Sequence, residues 1–127
     1  MKIWNFKVFV SDRGTREIDD WLDSIPAKAK AKIKKRITYL EIWDRNKWKR
    51  PYISKYKGSD KIWEIIVEFN SVQYRPLGCF GPQRNEFTLL MGAREKGDRL
   101  EPIDAIRIAE ERRNLILQHE RYTDEYY

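Results

Sequence analysis

Three runs of β-forming residues follow one another between Lys61 and Arg94, with only turn-sized breaks between them. Residues 61–69 (KIWEIIVEF) and 72–81 (VQYRPLGCFG) are separated by Asn70-Ser71, the length of a tight hairpin turn. Residues 86–94 (EFTLLMGAR) follow a Gly-Pro loop. A series like this does not fit a helical bundle, and its hairpin breaks make most of the pairing antiparallel. Pro76 cannot donate to a ladder, so it marks an edge position or a bulge.

Helical patterns lie on either side. Residues 3–10 read as a strand and 11–14 as a turn. Ile18, Trp21, Leu22 and Ile25 then recur at i, i+3, i+4 and i+7, which predicts a helix over 15–24. A second helix is expected over 26–43, with Ile33, Ile37 and Leu40 as its apolar stripe. Residues 52–57 alternate like a short strand, and 95–99 read as a polar loop. Glu101-Pro102 opens a last helix, and the tail after His119 is expected to fray. Strands in a block with helices set apart predict an α+β fold. In it, an N-terminal strand and a helical hairpin pack on a mainly antiparallel sheet of about four to five strands, with a C-terminal helix. The 127 residues suit a single domain, 1–127.

Composition removes several functions. One Cys and one His exclude a disulfide framework and the usual zinc sites, so no metal or other cofactor is expected. No apolar run approaches the ~20 residues of a membrane span, and a cytoplasmic setting is expected. Cys79 reads as a small buried hydrophobe, and His119 as a surface residue.

The net charge of +6 is unevenly spread. Residues 28–61 hold thirteen basic and three acidic side chains, while the rest of the chain is slightly acidic. Concentrated positive charge draws polyanions. Lys55, Lys57, Lys61, Lys96 and Arg99, with Tyr74 for stacking, form a candidate single-stranded RNA surface. Metal-free RNA cleavage needs a base for the 2′-hydroxyl and a cation for the phosphorane oxygens. Glu64 is the candidate base and Arg75 the candidate cation, because guanidinium charge is permanent and its fork matches phosphate.

In order and spacing, IWEI (62–65), YR (74–75), GAREKG (92–97), Pro102, Ala105 and Ala109 resemble the RelE/ParE toxin superfamily. The likeness spans about residues 3–117 and is nearest the HigB-like branch that includes phage-derived host-inhibition proteins. It implies the toxin of a toxin–antitoxin pair, cutting mRNA on the ribosome. The partner implied is an antitoxin, a small helix-turn-helix or other DNA-binding protein. Arg75 matches the phosphate-stabilising arginine of the superfamily, and Arg94 and Lys96 match its basic pair at the end of the last strand, so Arg94 is expected to act with Arg75 as a catalytic cation on the scissile phosphate. Glu64, Ile66 and Glu68 stand where active members carry Lys or Arg. His119, Tyr122, Tyr126 and Tyr127 are loose counterparts of its C-terminal acid or base. Alternatives are a ParE-like gyrase-inhibiting binder and a non-enzymatic phage-derived interaction protein. Arg75→Ala is expected to abolish toxicity with solubility retained.

Overall fold

The computed structural model describes residues 1–127. In chain order it contains β1 (Asn5–Phe9), α1 (Glu17–Ser24), α2 (Ala27–Ile42), β2 (Ile53–Lys55), β3 (Trp63–Ile65), β4 (Val67–Phe69) and β5 (Val72–Tyr74). There follow β6 (Leu77–Phe80), β7 (Glu86–Met91), β8 (Arg94–Lys96), β9 (Arg99–Glu101), α3 (Ala105–Gln118) and β10 (Thr123–Glu125). The fold is α+β, as the sequence pattern predicts.

Each of the three long β runs breaks once, at a shared level. Residues 61–69 divide into β3 and β4 at Ile66, 72–81 into β5 and β6 at Arg75-Pro76, and 86–96 into β7 and β8 at Gly92-Ala93. The strands therefore sort into two sheets rather than one of four to five strands. The larger runs β10-β1-β7-β6-β3-β2 and the smaller β4-β5-β8-β9. Backbone bonds stitch the seam: Ile65 N–H donates to the Pro76 carbonyl (2.9 Å), and Arg75 N–H to that of Ala93 (2.8 Å). The cause is local. Pro76 has no N–H to continue its ladder. At Gly92 an added Cβ would sit 1.8 Å from the Trp21 ring, so α1 lies directly on the backbone there.

The hairpin turn falls where expected, with Asn70 and Ser71 both at positive φ (56° and 68°). Residues 95–99 are a hairpin instead of a loop, β8 turning into β9 through Gly97 at φ 67°. The last helix starts at Ala105 rather than at Glu101-Pro102, which precede it in β9 and a turn. The tail is ordered into β10, contrary to the expected fraying. β10 pairs antiparallel with β1, and Arg16 reaches Asp124 and the carbonyls of Glu125 and Tyr126 at 2.9–3.0 Å.

Helices cover both faces. On one, Ile18 and Leu22 of α1 and Ile33, Ile37 and Leu40 of α2 bury against Phe6, Val8, Ile65 and Leu89. On the other, Ala105, Ala109 and Ile116 of α3 bury against Leu77, Cys79 and Leu90. Glu17, Asp19 and Asp20 in the first turn of α1 suit its positive end.

Candidate functional site

Alternation along β3 decides which way Glu64 points. Ile65 belongs to the α1/α2 core, so Glu64 faces the side of α3, across from Leu77 on one neighbour and Ser54 on the other. Arg75, at the seam, turns to meet it. Its Nε lies 3.2 Å from Glu64 Oε1, and its Nη2 3.4 Å from Glu95 Oε1. Nη2 also donates to the Gln73 side-chain oxygen and Nη1 to the Tyr74 carbonyl, both at 3.0 Å. Arg75 is 5% exposed and Glu64 6%.

This buried cluster has a definite bias. Burial raises the Glu64 carboxyl above its ordinary range. Arg75 pulls it down, Glu95 pushes it up and Arg50 pulls it down, with the net shift upward. Glu64 Oε1, close to Arg75 but not aligned for a hydrogen bond, and Ser54 Oγ are buried without a hydrogen-bond partner. Buried polar atoms are rarely left so, and when they are, a functional role is one cause. Ser54, Gln73, Glu95 and Arg50 escape a sequence reading because only the folded register brings them to Glu64 and Arg75. The sequence pattern also treats Arg75 as a replaceable surface residue. The structure corrects this, since loss of Arg75 would strand a buried carboxylate.

Arg94 is not part of this cluster. Tyr74 pairs with Arg94 and Gln73 with Glu95. Directly opposed residues share a face, so Arg94 and Lys96 lie on the Tyr74 side while Glu95 lies with Gln73 and Arg75. Arg94 and Lys96 share Glu101 instead, at 3.2 and 3.4 Å, and Arg99 pairs across from Lys96. The hydrogen bond from Arg94, then the charge of Lys96, holds the Glu101 carboxyl below its usual range. Beside Ser71, Val72 and Glu95, the residues Arg94, Lys96 and Glu101 line an open hollow of about 250 Å³.

Tyr74 is 3% exposed and set edge-on against Trp21, so its ring offers no face for a base. Lys55, Lys57 and Lys61 are exposed around the β2–β3 hairpin. Glu68, four residues from Glu64, lies in the other sheet. Tyr122, Tyr126 and Tyr127 lie in or beside β10, at the far edge of the larger sheet. With β1, β7 and β6 between, β10 is roughly 19 Å from β3 at ordinary strand spacing. Tyr122 donates to Asp12 and Tyr127 to Glu41 instead. The Cys79 thiol is pushed up to about 12 by burial, which keeps it unreactive. No group of three or more His, Cys, Asp or Glu is placed to hold a metal ion, and no helix is long and apolar enough to cross a membrane.

Residues 20–114 match the family described as Phage derived protein Gp49-like (DUF891), a family of the RelE/HigB toxin type. No curated protein and no solved structure matches the chain. The match runs from α1 through most of α3 and includes the whole seam. The chain belongs to the Gp49-like family.

Proposed function

From that membership, we propose that the chain is the toxin of a toxin–antitoxin pair and that residues 1–127 act as one domain cleaving ribosome-bound mRNA without a metal. The observation that carries this reading is the seam pair: a carboxylate whose proton affinity is raised by burial, beside an arginine whose charge is permanent. Glu64 takes the 2′-hydroxyl proton. The 2′-oxygen attacks phosphorus, the bond to the 5′-oxygen breaks, and a 2′,3′-cyclic phosphate forms. Arg75 stabilises the phosphorane oxygens, and the leaving 5′-oxygen takes a proton from solvent. To reach Arg75, the phosphate displaces Glu95, the most exposed of its carboxylate partners. Lys55, Lys57 and Lys61 hold RNA on one side, with Arg94, Lys96 and Arg99 on the other. The cognate antitoxin, a small DNA-binding protein, is the expected partner.

Induced expression without antitoxin should arrest growth and cut messages within translated codons. Glu64→Gln, which keeps the side chain's shape, should abolish both effects. Undisturbed growth with expression verified would refute the reading.

One observation favours a second reading. Arg75 is neutralised by two carboxylates, and Arg94 lies on the opposite face. A toxin that binds its target without hydrolysis, in the manner of gyrase-inhibiting ParE-like proteins, needs neither. In that case induction gives a DNA-damage response with messages intact.

A further inference from the structure

Positive charge is balanced very differently in two parts of this chain. Of the thirteen Lys and Arg outside residues 28–61, nine have a carboxylate within 4.0 Å. Of the thirteen inside, only Lys30 does, with Asp23. Of the block's three carboxylates, Glu41 is buried and held by Lys2 and Tyr127. The fold thus neutralises the arginines at its seam and leaves the block's charge to something outside the chain.

The same block carries an aromatic step. Tyr39 and Trp43, one helical turn apart at the end of α2, stack at 5.6 Å with their planes 5° apart. Tyr52 meets Trp43 edge-on at 4.8 Å. The outer two rings are open, Tyr39 at 39% and Tyr52 at 36% exposure. Cations border both: Lys35 lies 5.9 Å from the Tyr39 ring and Arg36 5.2 Å from that of Tyr52. Arg36 is fixed there by donating to the carbonyls of Tyr52 and Ile66. Exposed rings bordered by unpaired cations match what a single strand presents, flat bases at intervals along a charged backbone. A duplex hides its bases in the stack and would leave the two rings without a partner.

We propose that the end of α2 and the segment up to Tyr52 bind single-stranded RNA, with bases stacking on Tyr39 and Tyr52 and phosphates held by Lys35, Lys47, Lys49 and neighbouring cations. The α2 end of this surface is separate from the seam pair, since α2 covers the face of the sheet opposite Glu64. The choice of RNA over DNA rests on the message-cleaving reading above.

The test is fluorescence anisotropy of a 5′-labelled 12-mer of oligo(U) with the purified full-length chain. Tyr39→Leu and Tyr52→Leu keep apolar bulk and remove a ring. Each should weaken binding about 5- to 150-fold, the range for loss of one stacked base. Trp43 is left intact because its ring packs against both Tyr39 and Tyr52, so replacing it would disturb both stacking positions at once. Lys47→Gln/Lys49→Gln, at exposed positions, should flatten the salt dependence by about 0.7 in log–log slope for each phosphate no longer neutralised. Leucine variants that melt and bind like the unmodified chain overturn the proposal. So does equal affinity for a 12-base-pair RNA duplex, for poly-glutamate, or for oligo(dT). Oligonucleotide binding needs neither ribosome nor cleavage, so the two readings fail separately. A chain that binds oligo(U) but leaves growth undisturbed keeps this surface and loses the toxin. One that arrests growth yet ignores oligo(U) does the reverse.

Discussion

Replacing Arg75 by methionine keeps most of the side chain's length and removes its charge. What remains beside it is Glu64, buried and already pushed towards its neutral form. The Tyr74 carbonyl and the Gln73 side-chain oxygen also lose their donor, at about 1 kcal/mol each. Glu64 then either keeps its charge without its main partner or takes up a proton. The second route sets a ceiling: protonating a glutamate of ordinary pKa costs at most about 3.7 kcal/mol at pH 7 and almost nothing near pH 4. A deficit of about 3–5 kcal/mol at pH 7 is expected, in line with the usual result of removing one partner of a buried pair. A carboxyl raised in the folded state contributes fully below its unfolded pKa, and that contribution fades as pH rises through its folded pKa. Arg75→Met raises Glu64 further by removing its strongest downward influence, so the variant's deficit should widen from pH 4.5 to pH 7. Glu64→Gln alone should cost no more than about 1 kcal/mol, because Arg75 keeps Glu95, Gln73 and the Tyr74 carbonyl. Glu64→Gln/Arg75→Met should lose less than the two single changes added together, with a deficit that is flat in pH. Urea unfolding followed by tryptophan fluorescence between pH 4.5 and 7.5 reads all four proteins. Arg75→Met within ~0.5 kcal/mol of the parent, a deficit independent of pH, or simple additivity would each refute the account.

Three further outcomes follow from the geometry. Gly92→Ala drives a methyl group into the Trp21 ring and should destabilise by about 3 kcal/mol or more, with partial relief from Trp21→Leu in the same chain; thermal melts of the single and double variants check this. Arg16→Ala removes the ties to Asp124 and to two carbonyls of the tail, so limited proteolysis should clip residues after 119 faster while the remainder stays resistant. Glu101→Gln unpairs Arg94 and Lys96 on the surface and should leave the melting temperature within a few degrees; tighter sulfate binding by calorimetry would show that both cations are free.

Local signals in this sequence were readable where the cause was local. The apolar stripes of α1 and α2, the Asn70-Ser71 turn and the anomaly at Pro76 all follow from residues a few positions apart. The division of each long β run between two sheets depends on Trp21 lying over Gly92, some seventy residues downstream, and no periodicity reveals that. The environment of Arg75 was hidden for the same reason, since Glu64 and Glu95 reach it only through register. Identifying Glu64 and Arg75 as chemically interesting needed only residue type. Seeing that they neutralise each other, and that Arg94 faces away, needed the pairing of β5 with β8. The basic block is the opposite case: its excess was plain in the sequence, and the fold leaves it nearly unpaired.

The first strand has the most distant neighbours. β1 is held on one side by β7, the one parallel pairing in either sheet, and on the other by β10. Both partners are therefore synthesised long after it, β10 last of the ten strands. Until residue 125 has been released, Phe6 and Val8 have no completed sheet to enter, and pairings over such separations are slow to form. The larger sheet is thus completed only after residues 123–125 have been synthesised. A host that makes this chain has an interval, set by the order of translation, in which the polypeptide exists but its finished fold does not.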